Sequence, residues 1–462
     1  MRLTRRGLLS AAGAAGAVGL VGLPRARAAA WDTAGIALDT ADCPGGQRWK
    51  VLEIFLEGGL SHLETIWIPT SAIGGDFGVA DYSAFDASLV HDANTELYSG
   101  GPYLGAMCDP VVGENIRLVA LGHELAPHPA ATHLTLTGQT LGRATAAGCA
   151  AAVQRAAEDS MAAFVISGRG GPRTVAGAAS VGLHGSEWAP IVLSLANGQG
   201  SSFQTQLTET RTIERNHVLA ELDAAYASAL TPGGDPSAAD AVRSAAYEAY
   251  TTARQQMADP VSISGAVGSL PLTPDSLDMS NAAAVAAYYA DDNPTALAIE
   301  AAATLLADSA MDVRHVCVID GGAVEGYDRH TGQADDIHHN ATIQAGNLWN
   351  VCNAIATHVN LTDTLVVLST EFGRVFDDDE GTTHAPEAYA VALIGGPIGS
   401  SSSSGDVEDA SSTVSPAELR AAVLLALGVN PFHAECLADD LDFDPTDIPT
   451  ACADLSAIFF GV

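Results

Sequence analysis

The chain reads as an α/β protein: a mostly parallel central sheet with helices on both faces and a helical insertion. Three observations predict this. Six short runs, at 51–56, 116–121, 191–195, 313–319, 365–369 and 390–394, are almost continuously apolar rather than alternating. Strands buried on both faces have that character. Helical stretches separate the runs, and glycine or polar residues follow each one.

The N-terminus comes before any fold reasoning. Paired arginines, Arg5 and Arg6, precede a small-residue apolar stretch and an Ala-x-Ala site ending at Ala28. This predicts a twin-arginine (Tat) signal peptide over 1–28, with the Tat translocase as partner during export and a periplasmic or extracellular destination. The apolar stretch is too short and glycine-rich for a membrane span of about 20 residues, so no integral anchor is expected. Tat cargo crosses folded, often with a metal or cofactor already loaded. Without the signal's five arginines, 15 basic residues face 55 acidic ones, a net charge of −40. Such a surface repels phosphate backbones and anionic lipid, which excludes nucleic acid as a partner. Seven scattered cysteines form no Cys-x-x-Cys pair, arguing against a zinc-thiolate site. A pair such as Cys436 and Cys452 is open to a disulfide after export.

The first run, 51–56, stops on "EGGLSHLETIWIP" (57–69). Glycines there imply a tight turn or a close backbone approach. Glu57 and Ser61 then stand where open α/β sheets place ligands; an ordinary strand-to-helix turn capped by Ser61 is the plainer alternative. "GRGGPR" (168–173) reads as a loop better than as an anion cradle. Residues 204–310, rich in Ala and Glu with helical periodicity, form the expected insertion or cap, broken at 232–236 and 260–275. "GYDRHTGQADDIHH" follows the fourth run with Asp328 and His330, then His338 and His339. "TLVVLSTEFGR" runs straight into Glu371 and Arg374, and His384 precedes the last run. Arg374 either clamps an anion or pairs with an acid such as Glu371. "DDDEG" (377–381) lacks calcium-loop spacing, and "GSSSSSG" (399–405) is a surface loop. Acids and histidines at successive strand ends are what a divalent cation needs: oxygen and imidazole donors converging from separate segments.

The order of these stations resembles the metal ligands of the alkaline phosphatase-like superfamily. More closely, the mature chain resembles a Tat-exported bacterial family within it, domain of unknown function fifteen-oh-one. The residues that carry the resemblance are "GGLSHLET" (58–65), "HPAATHLTLTGQ" (128–139), "YDRHTGQ" (327–333), "STEFGR" (369–374), "TTHAPEAYAVALIGG" (382–396) and "AELRAAVLLALGVNP" (417–431). It implies one alkaline phosphatase-like domain over 29–462. It also implies divalent metal (zinc, calcium, magnesium or manganese) on Glu57, Asp328, His330, Glu371 and His384, and a small anionic substrate. Two positions depart from the pattern: Ser61 stands where some relatives carry Asp, and the nucleophile slot is altered. The nucleophile, a Cys, Ser or Thr nine residues before a Thr-Gly, falls here on His128. His128 is then a ligand, a nucleophile or a general base, unless it is a structural histidine. Ser61 and Thr132 are the substitute hydroxyls. Two functions follow: a metal-dependent hydrolase of phosphate or sulfate esters or a related anionic group, or a pseudo-enzyme that keeps the fold for binding.

Overall fold

The computed structural model describes residues 43, 49–62, 65–67, 76–77, 80–81, 115–138, 163–167, 174, 178, 191–194, 294–308, 313–322, 326–328, 330, 335–377, 381–433, 441 and 447–462. The chain opens with β1 (Lys50–Leu56), the short pair β2 (Asp76–Phe77) and β3 (Ala80–Asp81), then β4 (Ile116–Leu121) and α1 (His128–Thr137). Next come β5 (Ala163–Ser167), β6 (Ile191–Ser194), α2 (Pro294–Ala307), β7 (His315–Asp320) and α3 (Asp335–His358). The last part holds β8 (Thr364–Thr370), β9 (Gly373–Asp377), β10 (Gly381–Ala385), β11 (Tyr389–Gly395), β12 (Ser402–Ser404), α4 (Pro416–Ala426) and α5 (Ile448–Phe459).

Eight strands form one sheet in the order β12-β4-β11-β8-β1-β7-β5-β6. Only β11 runs against its neighbours, pairing antiparallel with both β4 and β8; every other pairing in the sheet is parallel. β1 therefore sits at the centre, with β7 and β8 on its two sides. Its alternate residues explain the nearly continuous apolar run. Leu52, Ile54 and Leu56 pack with Ile299 and Leu305 of α2 and Val351 and Ile355 of α3. Val51 and Phe55 point the other way, to Leu419 and Val423 of α4 and Phe459 of α5. Helices cover both faces, so both faces had to be apolar.

One residue of β1 breaks the pattern. Glu53 is buried in the layer under α4, where Arg420 donates to Oε1 and His315 Nε2 lies 3.0 Å from Oε2. Burial pushes its carboxyl up, but Arg420 and His315 outweigh that and hold it down at about 2. An acid in an apolar strand is tolerated because its charge is matched within the layer.

α4 starts at a capping box, with the Ser415 hydroxyl accepting from the Glu418 N–H and the Glu418 carboxylate accepting from the Ser415 N–H. Of the expected insertion, 204–293 and 309–310 lie outside the described residues. α2, within its last part, is a helix packed on β7 and α3.

Cys452 of α5 is bonded to Cys43, not to Cys436, which lies outside the described residues. The bridge ties the segment before β1 to the last helix across 409 positions. Closing so long a loop restricts the unfolded chain strongly. Cys43→Ser is expected to lower stability by about 2–4 kcal/mol, read as a lower urea midpoint with a steeper slope, because the unbridged unfolded chain exposes more surface. An unchanged midpoint would refute the bridge's contribution.

Candidate metal centre

β1 ends in a turn that only glycine accommodates. Gly58 and Gly59 have φ of 124° and 88°, and a Cβ on Gly58 would stand 2.3 Å from the backbone nitrogen of Asp328. The glycines are there because another backbone passes against them. That backbone carries Asp328 and His330, delivered by the segment after β7. The same turn is tied to β8 and β9: the Gly58 N–H donates to Glu371 Oε1 at 2.8 Å, and Arg374 Nε donates to the Gly58 carbonyl at 2.8 Å.

Beyond β8 the chain forms the β9–β10 hairpin, whose register sets Arg374 opposite His384. His128 opens α1, where Pro129 follows at a position that needs no N–H bond. These segments converge. One ligand atom from each of His128, Asp328, His330 and His384 lies within 4.8 Å of all the others.

Two of the imidazoles have their orientation fixed from behind. His128 Nδ1 lies 2.8 Å from Glu371 Oε1, and His384 Nδ1 lies 2.8 Å from the Ala126 carbonyl. Both partners only accept, so each Nδ1 carries the proton and each Nε2 is turned inward. There His384 Nε2 stands 3.2 Å from His330 Nε2, and His128 Nε2 stands 3.3 Å from Asp328 Oδ1. Phe372 wedges the rings, stacked on His384 with centroids 4.1 Å apart and 4.8 Å from His128.

The titrations follow from this crowding. Bonds to Asp328 and then Glu371 push His128 up to about 9. The same contact with His128 holds Asp328 down at about 2, against some burial. Burial, then the charges of Arg374 and His128, lowers His384 to about 4.

The remaining sequence candidates stand around this cluster rather than in it. Glu371 is fully buried and supports His128 and the Gly58 turn. Glu57 accepts from Thr174. Arg374 is buried and donates to Asp328 and to the Gly58 carbonyl, so its guanidinium faces protein rather than solvent. Ser61 is buried with its N–H donating to Gln344 Oε1, and among the described residues no α-helix starts at it. Thr132 is buried in α1. His338 and His339 fall in α3, with side chains outside the described residues.

Three supporting residues escape the sequence reading. Asp320 closes β7 as an acid at a strand end, the signal that does pick out Glu371. It accepts from Thr295 Oγ1, the Gly322 N–H and the Tyr327 hydroxyl. Phe372 and Gln344 carry no local signal.

Among solved structures the chain is similar to the alkaline phosphatase of the Antarctic bacterium TAB5, with 11% identity and a TM-score of 0.36 over 82% of this chain and 99% of that one. A mutant of that enzyme with Mg bound in its M3 site gives 12% and 0.34 over 83% and 100%. Ps i-CgsB in complex with k-i-k-neocarrahexaose gives 10% and 0.33 over 88% and 77%. No curated protein matches the chain significantly. Residues 115–451, from just before β4 into α5, match the family described as "Protein of unknown function (DUF1501)", and the chain belongs to that family.

Proposed function

We propose that this protein is an exported, metal-dependent hydrolase of phosphate or sulfate esters or a related anionic group. The observation that carries it is the convergence of His128, Asp328, His330 and His384 from separate segments of the chain. The donor set fits a divalent cation. Two Nε2 atoms 3.2 Å apart on His384 and His330 face each other, and imidazoles held through Nδ1 are the arrangement that orients histidine toward a metal. Three imidazoles and one carboxylate favour zinc or a neighbouring transition metal over calcium or magnesium, which prefer oxygen.

Asp328, His330 and His384 hold the ion, and His128 completes the set from the slot where relatives of the superfamily carry a nucleophile. Glu371 keeps His128 turned inward, and Arg374 does the same for Asp328. A bound cation would neutralise ester oxygens and make a water more acidic. Export is supported by the twin arginines and by the Cys43–Cys452 bridge, which belongs in an oxidising compartment. No helix among the described residues is long and apolar enough to cross a membrane.

Metal analysis of the purified protein, beside an ester panel, tests the reading. About one equivalent of metal per chain is expected, with Asp328→Asn lowering occupancy and a chelator abolishing turnover. Protein without stoichiometric metal refutes the proposal. Four protein donors close a coordination shell, as in structural sites. That favours the second reading, a pseudo-enzyme, which predicts bound metal and an inert wild type on the whole panel.

A further inference from the structure

The candidate centre is assembled from segments far apart in sequence, and one side chain joins two of them. Gln344 of α3 is buried at 1% exposure. Its Oε1 accepts from the Ser61 N–H at 2.7 Å, and its Nε2 donates to the Tyr327 carbonyl at 3.1 Å. Ser61 belongs to the turn that begins at Gly58; Tyr327 immediately precedes Asp328. The contacts close a ring. From Gln344 it runs through Ser61 to Gly58, from Gly58 to Arg374, from Arg374 to Asp328, and from Tyr327 back to Gln344. Glu371 branches from this ring at the Gly58 N–H and holds His128.

We propose that Gln344 is a positioning residue of the metal centre, and that its amide sets where Asp328 stands relative to His128. The proposal rests on the metal reading above. Chemistry explains the residue type: the two backbone groups need one acceptor and one donor on the same rigid plane, which a primary amide supplies and a carboxylate does not. The tyrosine is held independently, since its hydroxyl donates to buried Asp320 at 2.8 Å. The Tyr327 carbonyl therefore has little freedom to seek another partner.

The test is Co²⁺ titration of metal-free, full-length protein, read by visible absorption, beside thermal unfolding without metal. Gln344→Glu keeps the acceptor for Ser61 and loses the donor for Tyr327, whereas Gln344→Met loses both. Cobalt binding is expected to weaken about tenfold in Gln344→Glu and further in Gln344→Met, with a changed band shape in each. Gln344→Glu carries the test if Gln344→Met does not fold.

Arg117→Met is the control for plain destabilisation. It removes donors to the Ile458 and Ala457 carbonyls at the end of α5, so it should lower the melting temperature and leave the cobalt spectrum unchanged. Wild-type affinity and band shape in Gln344→Glu would overturn the positioning role. A wild type that binds no Co²⁺ would overturn the metal reading itself.

Discussion

Arg420→Met is expected to destabilise the protein by about 3–5 kcal/mol, the cost of leaving a buried acid without its counter-charge. Glu53 is buried under α4, where Arg420 and His315 pair with its carboxylate. Removing both ends with Glu53→Leu in the Arg420→Met background should recover most of the loss, since an apolar pair of similar volume suits that layer. Acid gives a second signature.

In the wild type the folded-state carboxyl is depressed, to about 2 from 4.5. Its stabilising contribution is therefore present above about pH 4.5 and is lost as pH falls toward 2. In Arg420→Met burial acts unopposed by the arginine and raises the carboxyl, so the mutant's deficit should grow as pH rises above the unfolded value. Urea unfolding across pH 3–8 reads both trends. A deficit independent of pH would show that Arg420 acts by packing alone.

Gly58→Ala should strike fold and centre together. A side chain there takes an unfavourable φ of 124° and meets Asp328 N at 2.3 Å and the Tyr327 carbonyl carbon at 2.8 Å, atoms of backbone that cannot rotate away. The cost is expected at roughly 2–4 kcal/mol. The Asp328 segment must move, so metal occupancy should fall with it. Gly59→Ala is the milder neighbour, because its Cβ meets the Phe372 ring, 2.7 Å away, rather than backbone. Metal content and melting temperature of the two variants, compared directly, decide the matter. A Gly58→Ala protein with full metal content would sink the account of the turn.

The sheet was legible where burial on both faces leaves a nearly continuous apolar run. All six runs became strands, with ends displaced by a residue or two, as at 313–319 against His315–Asp320. β5 was not read, because "AFVIS" follows an alanine-rich stretch that looks helical. The β9–β10 hairpin was not read either: only part of it is apolar, and "DDDEG" looks like loop; "GSSSSSG", read as a surface loop, contains β12, which pairs with β4 although it has no apolar residue.

For the site, residue types at strand ends pointed to Asp328, His330 and His384, and counting back from Thr137-Gly138 pointed to His128. That Asp328 joins the cluster while Glu371 stands behind His128 was not legible. It depends on which way two carboxylates turn after the segments meet. Gln344 was invisible for the same reason, being 283 positions from the N–H it accepts.

The place of β1 in the sheet also governs when the molecule can be completed. β1 is the first sheet strand to be synthesised, yet its partners begin at His315 and Thr364. At about 5–20 residues per second, the ribosome needs roughly 15–60 s to make them. During that wait both edges of an apolar strand lack their partners, a hazard for association with other chains. The central strand thus holds folding back until nearly the whole chain has emerged.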